Sequence, residues 1–108
     1  MSYITGGYPT PGDTVELLLA LQEGGTDVIE LGVPFSDPQA DGATIQATNE
    51  VALQYGTGIT ECMEFVREAR SRGLTKPVVL MGYYNPFLQF GLSDLVEQAA
   101  VAGVDGFI

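Results

Sequence analysis

Three carboxylates close together in the chain, Glu30, Asp37 and Asp41, are the residues whose type and spacing could do chemistry. Glu30 stands in the run Asp27-Val28-Ile29-Glu30-Leu31, where its neighbours are apolar and mostly β-branched. Asp37 and Asp41 follow in the turn-rich stretch Pro34 to Gly42. A carboxyl group facing inward among apolar side chains loses hydration and favours its proton-donating form, whereas one on a loop stays ionised. A pair held apart in this way can divide the labour, one acting as acid and the other as anionic stabiliser. The same residues have a plainer use, because Asp37 before Pro38 and Asp41 before Gly42 are ordinary turn formers. Asp37 and Asp41 could also ligate a divalent ion, but the chain has no histidine and Pro38 interrupts the spacing, so no metal is expected.

Other candidates carry less. Gly6-Gly7 resembles a phosphate loop, yet no lysine follows and no helix begins at once, which reads as a turn. Cys62 shares a helix face with apolar neighbours and has no histidine base, so it reads as a core residue. Tyr83, Tyr84 and Asn85 suit either packing at a site mouth or an aromatic wall for a flat ligand.

The elements that must position these groups repeat one pattern: a helix, a closing glycine, a few polar residues and an apolar run. Helices are expected over Thr14 to Gln22, Thr60 to Arg70 and Ser93 to Val101, closed by Gly24-Gly25, Gly73 and Gly103. Asp13 with Glu16, Thr60 and Ser93 are the expected caps. Strands are expected near 3–5, 27–33, 77–82 and 104–108, giving β-α-β-(extra helix)-α-β-α-β. Helical crossovers require parallel pairing, so the class is α/β: either half of an eight-fold (βα)8 TIM barrel or a small open sheet. In the second strand Ile29, Leu31 and Val33 share the all-apolar side, while Glu30 and Gly32 share the other. A carboxylate and a glycine suit a barrel lumen near its catalytic mouth better than a face covered by helices. About 50 residues separate Ile29 from Val79, against roughly 25 to 28 between the other strands, and long insertions of this kind are usually functional.

The net charge of −10 and the confinement of all four basic residues to Arg67, Arg70, Arg72 and Lys76 argue against nucleic-acid binding. No apolar run reaches the ~18 residues of a membrane span, and Met1 to Thr5 lack the features of a secretory signal. With one cysteine in 108 residues no internal disulfide can form, and a cytoplasmic setting is expected. The pattern breaks off in the fourth strand at Ile108, so residues 1–108 are read as one partial barrel domain of a longer chain.

Ile29-Glu30-Leu31-Gly32-Val33-Pro34-Phe35-Ser36-Asp37-Pro38, with Ala40-Asp41-Gly42 and Thr44-Ile45-Gln46, resembles the signature segment of the tryptophan synthase α-subunit family. Leu80-Met81-Gly82-Tyr83-Tyr84-Asn85-Pro86 and Ala102 to Gly106 are similar to that family too, and the likeness runs over essentially the whole chain. The resemblance implies a (βα)8-barrel lyase of tryptophan biosynthesis that cleaves indole-3-glycerol phosphate to indole and glyceraldehyde 3-phosphate. It makes Glu30 the acid–base carboxylate and Asp41 the carboxylate that stabilises charge at the indole nitrogen. It puts Tyr3, Leu80 and Tyr83 around the indole, and turns Pro34, Ser36, Asp37 and Pro38 toward a β-subunit or fused β-domain. It also implies that pyridoxal phosphate belongs to that β partner, with no cofactor in this segment. The family's late phosphate loops and its helix before the first strand have no counterpart here, so residues 1–108 alone are expected to be inactive or nearly so, and, with two unpaired strand edges and an exposed lumen face, either to self-associate or to stay loosely packed. Two other readings stand beside it: a noncatalytic module docking a partner through residues 34–41, and another phosphosugar barrel aldolase or isomerase.

Overall fold

The computed structural model describes residues 1–35 and 42–108. In chain order the elements are β1 (Ser2–Thr5), α1 (Pro11–Glu23), β2 (Ile29–Gly32), α2 (Ala43–Gln54), α3 (Ile59–Ser71), β3 (Val78–Met81), α4 (Tyr84–Phe90), α5 (Leu92–Ala102) and β4 (Gly106–Phe107). The strands are parallel and lie side by side in sequence order, β1-β2-β3-β4. Consecutive order is the arrangement of a closing barrel. A doubly wound sheet would reverse its order at a switch point.

Register fixes the two faces. Ser2, Ile29 and Val78 stand side by side, as do Ile4, Leu31 and Leu80. Ile29, Leu31, Val78 and Leu80 are fully buried and share the core with Val15 and Leu18 of α1, Cys62, Val66 and Ala69 of α3, and Leu95 and Ala99 of α5. Three helices therefore cover one face of the sheet. The opposite face presents Tyr3, Glu30 and Val79 in one row and Thr5, Gly32 and Met81 in the next. The barrel expectation holds within β2: Glu30 lies opposite the helices, and Ile29 and Leu31 lie beneath them.

The helices differ from expectation mainly at their starts. The first begins at Pro11 with Thr10 as its cap residue, and Thr10 donates a hydrogen bond to the Asp13 carboxylate at 2.8 Å. Proline fits a first helical position because its missing N–H would have no intrahelical partner there. The expected caps Thr60 and Ser93 lie inside their helices, and Gly58 and Gly91 take the cap positions. At Gly58 the Glu61 carboxylate accepts the backbone N–H at 2.9 Å, so an acidic side chain does the work a cap hydroxyl would have done. The glycine stops are where they were expected. Gly25, Gly73 and Gly103 all have positive φ, which residues with a Cβ rarely adopt.

At the ends of β3 and β4 away from the loop after β2, one side chain ties several elements together. The Arg70 guanidinium donates to the Gly103 carbonyl at 2.8 and 3.1 Å, to Leu74 and Lys76 carbonyls at 3.1 and 2.8 Å, and to the Asp105 carboxylate at 2.9 Å. The same Asp105 oxygen accepts the Val78 N–H, so β3, β4 and the end of α3 are held by a single charged cluster.

Candidate active site

The C-terminal ends of the strands carry the candidate chemistry. After β1 the chain turns at Gly6-Gly7, where the Tyr8 N–H reaches back to the Thr5 carbonyl. The Gly7 N–H is donated to the Thr14 hydroxyl at 2.9 Å. This is the turn expected from the sequence, with its amide engaged inside the fold rather than offered to a phosphate.

Against the uncovered face of the sheet lies a cavity of about 290 Å³, lined by Tyr3, Val33, Asn49, Met81, Gly82, Tyr83 and Ile108. Tyr3 and Tyr83, both expected around a ring-shaped ligand, are among its lining residues. Tyr83 packs its ring on Phe35 at 5.2 Å between centroids, which sets an aromatic edge at the cavity rim. Tyr84 is different: it begins α4 and is largely exposed. The short helix α4 was not foreseen, since Asn85-Pro86 reads as a loop, although proline is accepted in a first helical turn.

Leu80 requires a correction. Its side chain is fully buried in the helix-facing core, in register with Leu31, and does not reach the cavity. Met81, one residue on and in register with Gly32, faces the cavity in its place. Alternation along a strand decides this, because a shift of one residue exchanges the faces.

Glu30 sits beside Tyr3 in the sheet register, on the cavity side of β2, and is partly exposed rather than sealed. Its carboxylate makes no hydrogen bond or ion pair to a described residue. One position further on, Gly32 leaves room for the Tyr3 ring, and a Cβ at that position would collide with the Tyr3 ring and hydroxyl. The tyrosine therefore lies across β2 just beyond Glu30 and helps to floor the cavity.

Asp41, with Ser36, Asp37 and Pro38, lies outside the described residues. Pro34, expected to face a partner, is described and is buried. It follows Val33, where the chain leaves the sheet.

Val33, Asn49, Met81, Gly82 and Ile108 also line the cavity and were not singled out by sequence reasoning. Met81 shares its face with Val79, and only the pairing of β3 with β2 shows that this face is the uncovered one. Asn49 is 3% exposed and shares the buried stripe of α2 with Ala52, three residues on. A polar residue on the inward stripe of a helix was the available signal. Cys62, by contrast, is what it was read to be: fully buried, with burial and then the nearby Glu61 carboxylate pushing its thiol well above the ordinary value. A wider groove lies between α3 and α5 on the outer helical layer, lined by Thr60, Glu64, Arg67, Asp94 and Glu97 among others, and none of the candidate residues reaches it.

No helix among the described residues is long and apolar enough to cross a membrane.

The family pattern described as tryptophan synthase alpha chain matches residues 1–108. The chain is 53% identical over 108 residues to the tryptophan synthase of Saccharomyces cerevisiae, covering all of this chain and 15% of that protein. It is equally 53% identical over 108 residues to a tryptophan synthase alpha chain of a Roseiflexus species, covering 41% of that chain. Among solved structures, tryptophan synthase subunit alpha from Legionella pneumophila superposes with a TM-score of 0.96 at 44% identity, covering 98% of this chain and 40% of that one. The chain thus spans about two fifths of the length of the alpha chains it matches, and its four strands correspond to half a barrel.

Proposed function

Because the chain belongs to the tryptophan synthase alpha chain family, we propose that the polypeptide carrying it is the lyase that cleaves indole-3-glycerol phosphate to indole and glyceraldehyde 3-phosphate. The observation that carries this reading is the position of Glu30 on the cavity side of β2, next to Tyr3 and opposite the helix-covered face.

In this reading the indole ring occupies the cavity between Tyr3, Met81 and Tyr83. The Glu30 carboxyl group delivers a proton to the ring carbon that bears the glycerol side chain. Positive charge then develops at the ring nitrogen, and the Asp41 carboxylate stabilises it. The carbon–carbon bond breaks with its electron pair returning to the ring, and the side-chain hydroxyl passes its proton to the Glu30 carboxylate, now free of its own, as it becomes the aldehyde. An apolar cavity raises the worth of both carboxyl groups, since charge–charge interactions strengthen as water is excluded.

The partner of this activity is a tryptophan synthase β-subunit or fused β-domain, which holds pyridoxal phosphate and receives indole on the side of Pro34, Ser36, Asp37 and Pro38. No segment resembling the family's phosphate loops falls within residues 1–108. Binding energy from the phosphate orients the reacting carbon, so residues 1–108 by themselves turn over little or no substrate.

The test is indole release from indole-3-glycerol phosphate by the full-length polypeptide, and by residues 1–108 with and without the remainder of the chain. Release by the full-length protein, and by the two pieces only when combined, supports the reading. Absence of release by the full-length protein with its β partner present overturns it.

A further inference from the structure

Helix α2 is unusual among the helices here in how little apolar side chain it buries. Its only buried residues are Asn49 and Ala52, and its packing partner in the sheet is β1. Burial of an alanine and an asparagine contributes little transfer free energy, so something more directional must fix the helix. That fixture is a pair of threonines. Thr5 Oγ1, on the cavity-facing side of β1, lies 2.8 Å from Thr48 Oγ1 on α2. Thr48 also donates to the Ile45 carbonyl at 2.9 Å, which locks its rotamer against its own helix. Thr5 is 4% exposed, and its hydroxyl is also 3.3 Å from that of Tyr3, itself a lining residue. A chain of hydroxyls thus runs from the cavity floor to the helix that carries Asn49 into the cavity wall.

We propose that Thr48, through Thr5, is a positioning residue that holds α2 so that Asn49 forms one wall of the binding cavity for the planar ring of the substrate. This rests on the lyase reading above for the identity of that ring. Thr48 itself does not line the cavity, and its effect on the ligand passes through Asn49. A misplacement of a positioning element by about 1 Å can cost on the order of a hundredfold in turnover, whereas loss of one exposed hydrogen bond would leave activity untouched.

The experiment uses the full-length polypeptide with its β partner and four variants: Thr48→Val, Thr48→Ser, Thr5→Val and Asn49→Ala. Each is measured for kcat and KM of indole-3-glycerol phosphate cleavage, for binding of indole alone, and for melting temperature. Thr48→Val keeps the volume and removes the hydroxyl. We expect it to lower kcat/KM and indole affinity about tenfold or more, with Thr48→Ser restoring both to within about threefold. Combining Thr5→Val with Thr48→Val should then add little, because both remove one interaction. The proposal is overturned if Thr48→Val keeps kcat/KM and indole affinity within about twofold, or if the two threonine variants are fully additive. Should Thr48→Val fail to fold, the other pair decides: full affinity in Thr48→Ser with loss in Asn49→Ala supports the proposal, and full affinity in Asn49→Ala overturns it. Failure of the lyase reading looks different, since the unmodified protein would then release no indole while the binding measurement still reports on α2.

Discussion

The ring of Tyr3 lies over Gly32, at the one position where the cavity side of β2 has no side chain to oppose it. Here a large aromatic residue on β1 leans across a glycine on β2, which brings its hydroxyl toward Thr5 and leaves Glu30 beside it in the sheet register. The glycine is thus required by packing and not by backbone conformation, since its φ is not in the left-handed region.

Replacing Gly32 with alanine should therefore displace Tyr3 and disturb the cavity floor. Overpacking of this kind costs about 1–3 kcal/mol, and it should raise KM for the ring-bearing substrate. Tyr3→Ala in the Gly32→Ala background should recover much of the lost stability, because it removes the colliding ring. Thermal unfolding of the single and double variants checks this. A Gly32→Ala protein with unchanged melting and KM would contradict the packing described.

Glu30→Gln and Asp41→Asn should each lower indole release from indole-3-glycerol phosphate by about 10²–10⁴-fold, the usual range for a lost acid–base group. Binding of indole should change far less than kcat, since neither substitution alters cavity volume much. Steady-state cleavage assays paired with indole titration separate the two effects. Normal turnover in both variants would remove both residues from the chemistry.

Arg70→Ala should destabilise the fold without touching the site. Arg70 is only about a quarter exposed and serves three backbone carbonyls besides Asp105, so its loss leaves acceptors with poorer partners. Hydrogen bonds from charged groups contribute about 1.5–3 kcal/mol, and a loss of that order is expected in chemical denaturation. KM of the folded protein should stay at its original value. Arg70→Lys should recover only part, because a single ammonium cannot span the four acceptors.

Cys62 predicts a loss of stability at alkaline pH. Burial raises its thiol above the ordinary value of 9.0 in the folded state. Above about pH 9 the unfolded chain therefore releases a proton that the folded chain keeps. The unfolded state then binds fewer protons, and stability falls as pH rises, by up to about 1.4 kcal/mol per unit. At neutral pH the thiol is protonated in both states and contributes no slope. Denaturation curves at pH 8 and pH 10 should differ more for the unmodified protein than for Cys62→Ser. Native protein should also resist thiol reagents until it unfolds.

Much of this was legible in the residues themselves. Gly25, Gly73 and Gly103 marked the helix ends because the left-handed conformation has few other occupants. Glu30 stood out because β2 has a single charged residue, so the alternation of its faces could be read directly. β3 offered no such contrast. Val78, Val79, Leu80 and Met81 are apolar on both faces, as parallel strands tend to be, and nothing local says which pair meets the helices. Leu80 was placed around the indole by the family resemblance, and pairing with β2 turns it to the helix-covered face. The starts of α1, α3 and α5 were misplaced because several residues in each segment are acceptable caps, and only the hydrogen bonds that form choose among them.

From its amino acids alone, then, this chain determines alternating β/α units, the carboxylate among apolar residues on β2, and a family signature centred on that carboxylate. Tertiary structure alone decided that Met81 and not Leu80 meets the cavity, that Tyr3 crosses Gly32, and that α2 brings Asn49 into the wall. The division has one physical cause. Helix stops and charge contrast are properties of neighbours in the chain, whereas the face a strand residue presents and the residue a helix turns inward depend on register and docking with elements tens of residues away.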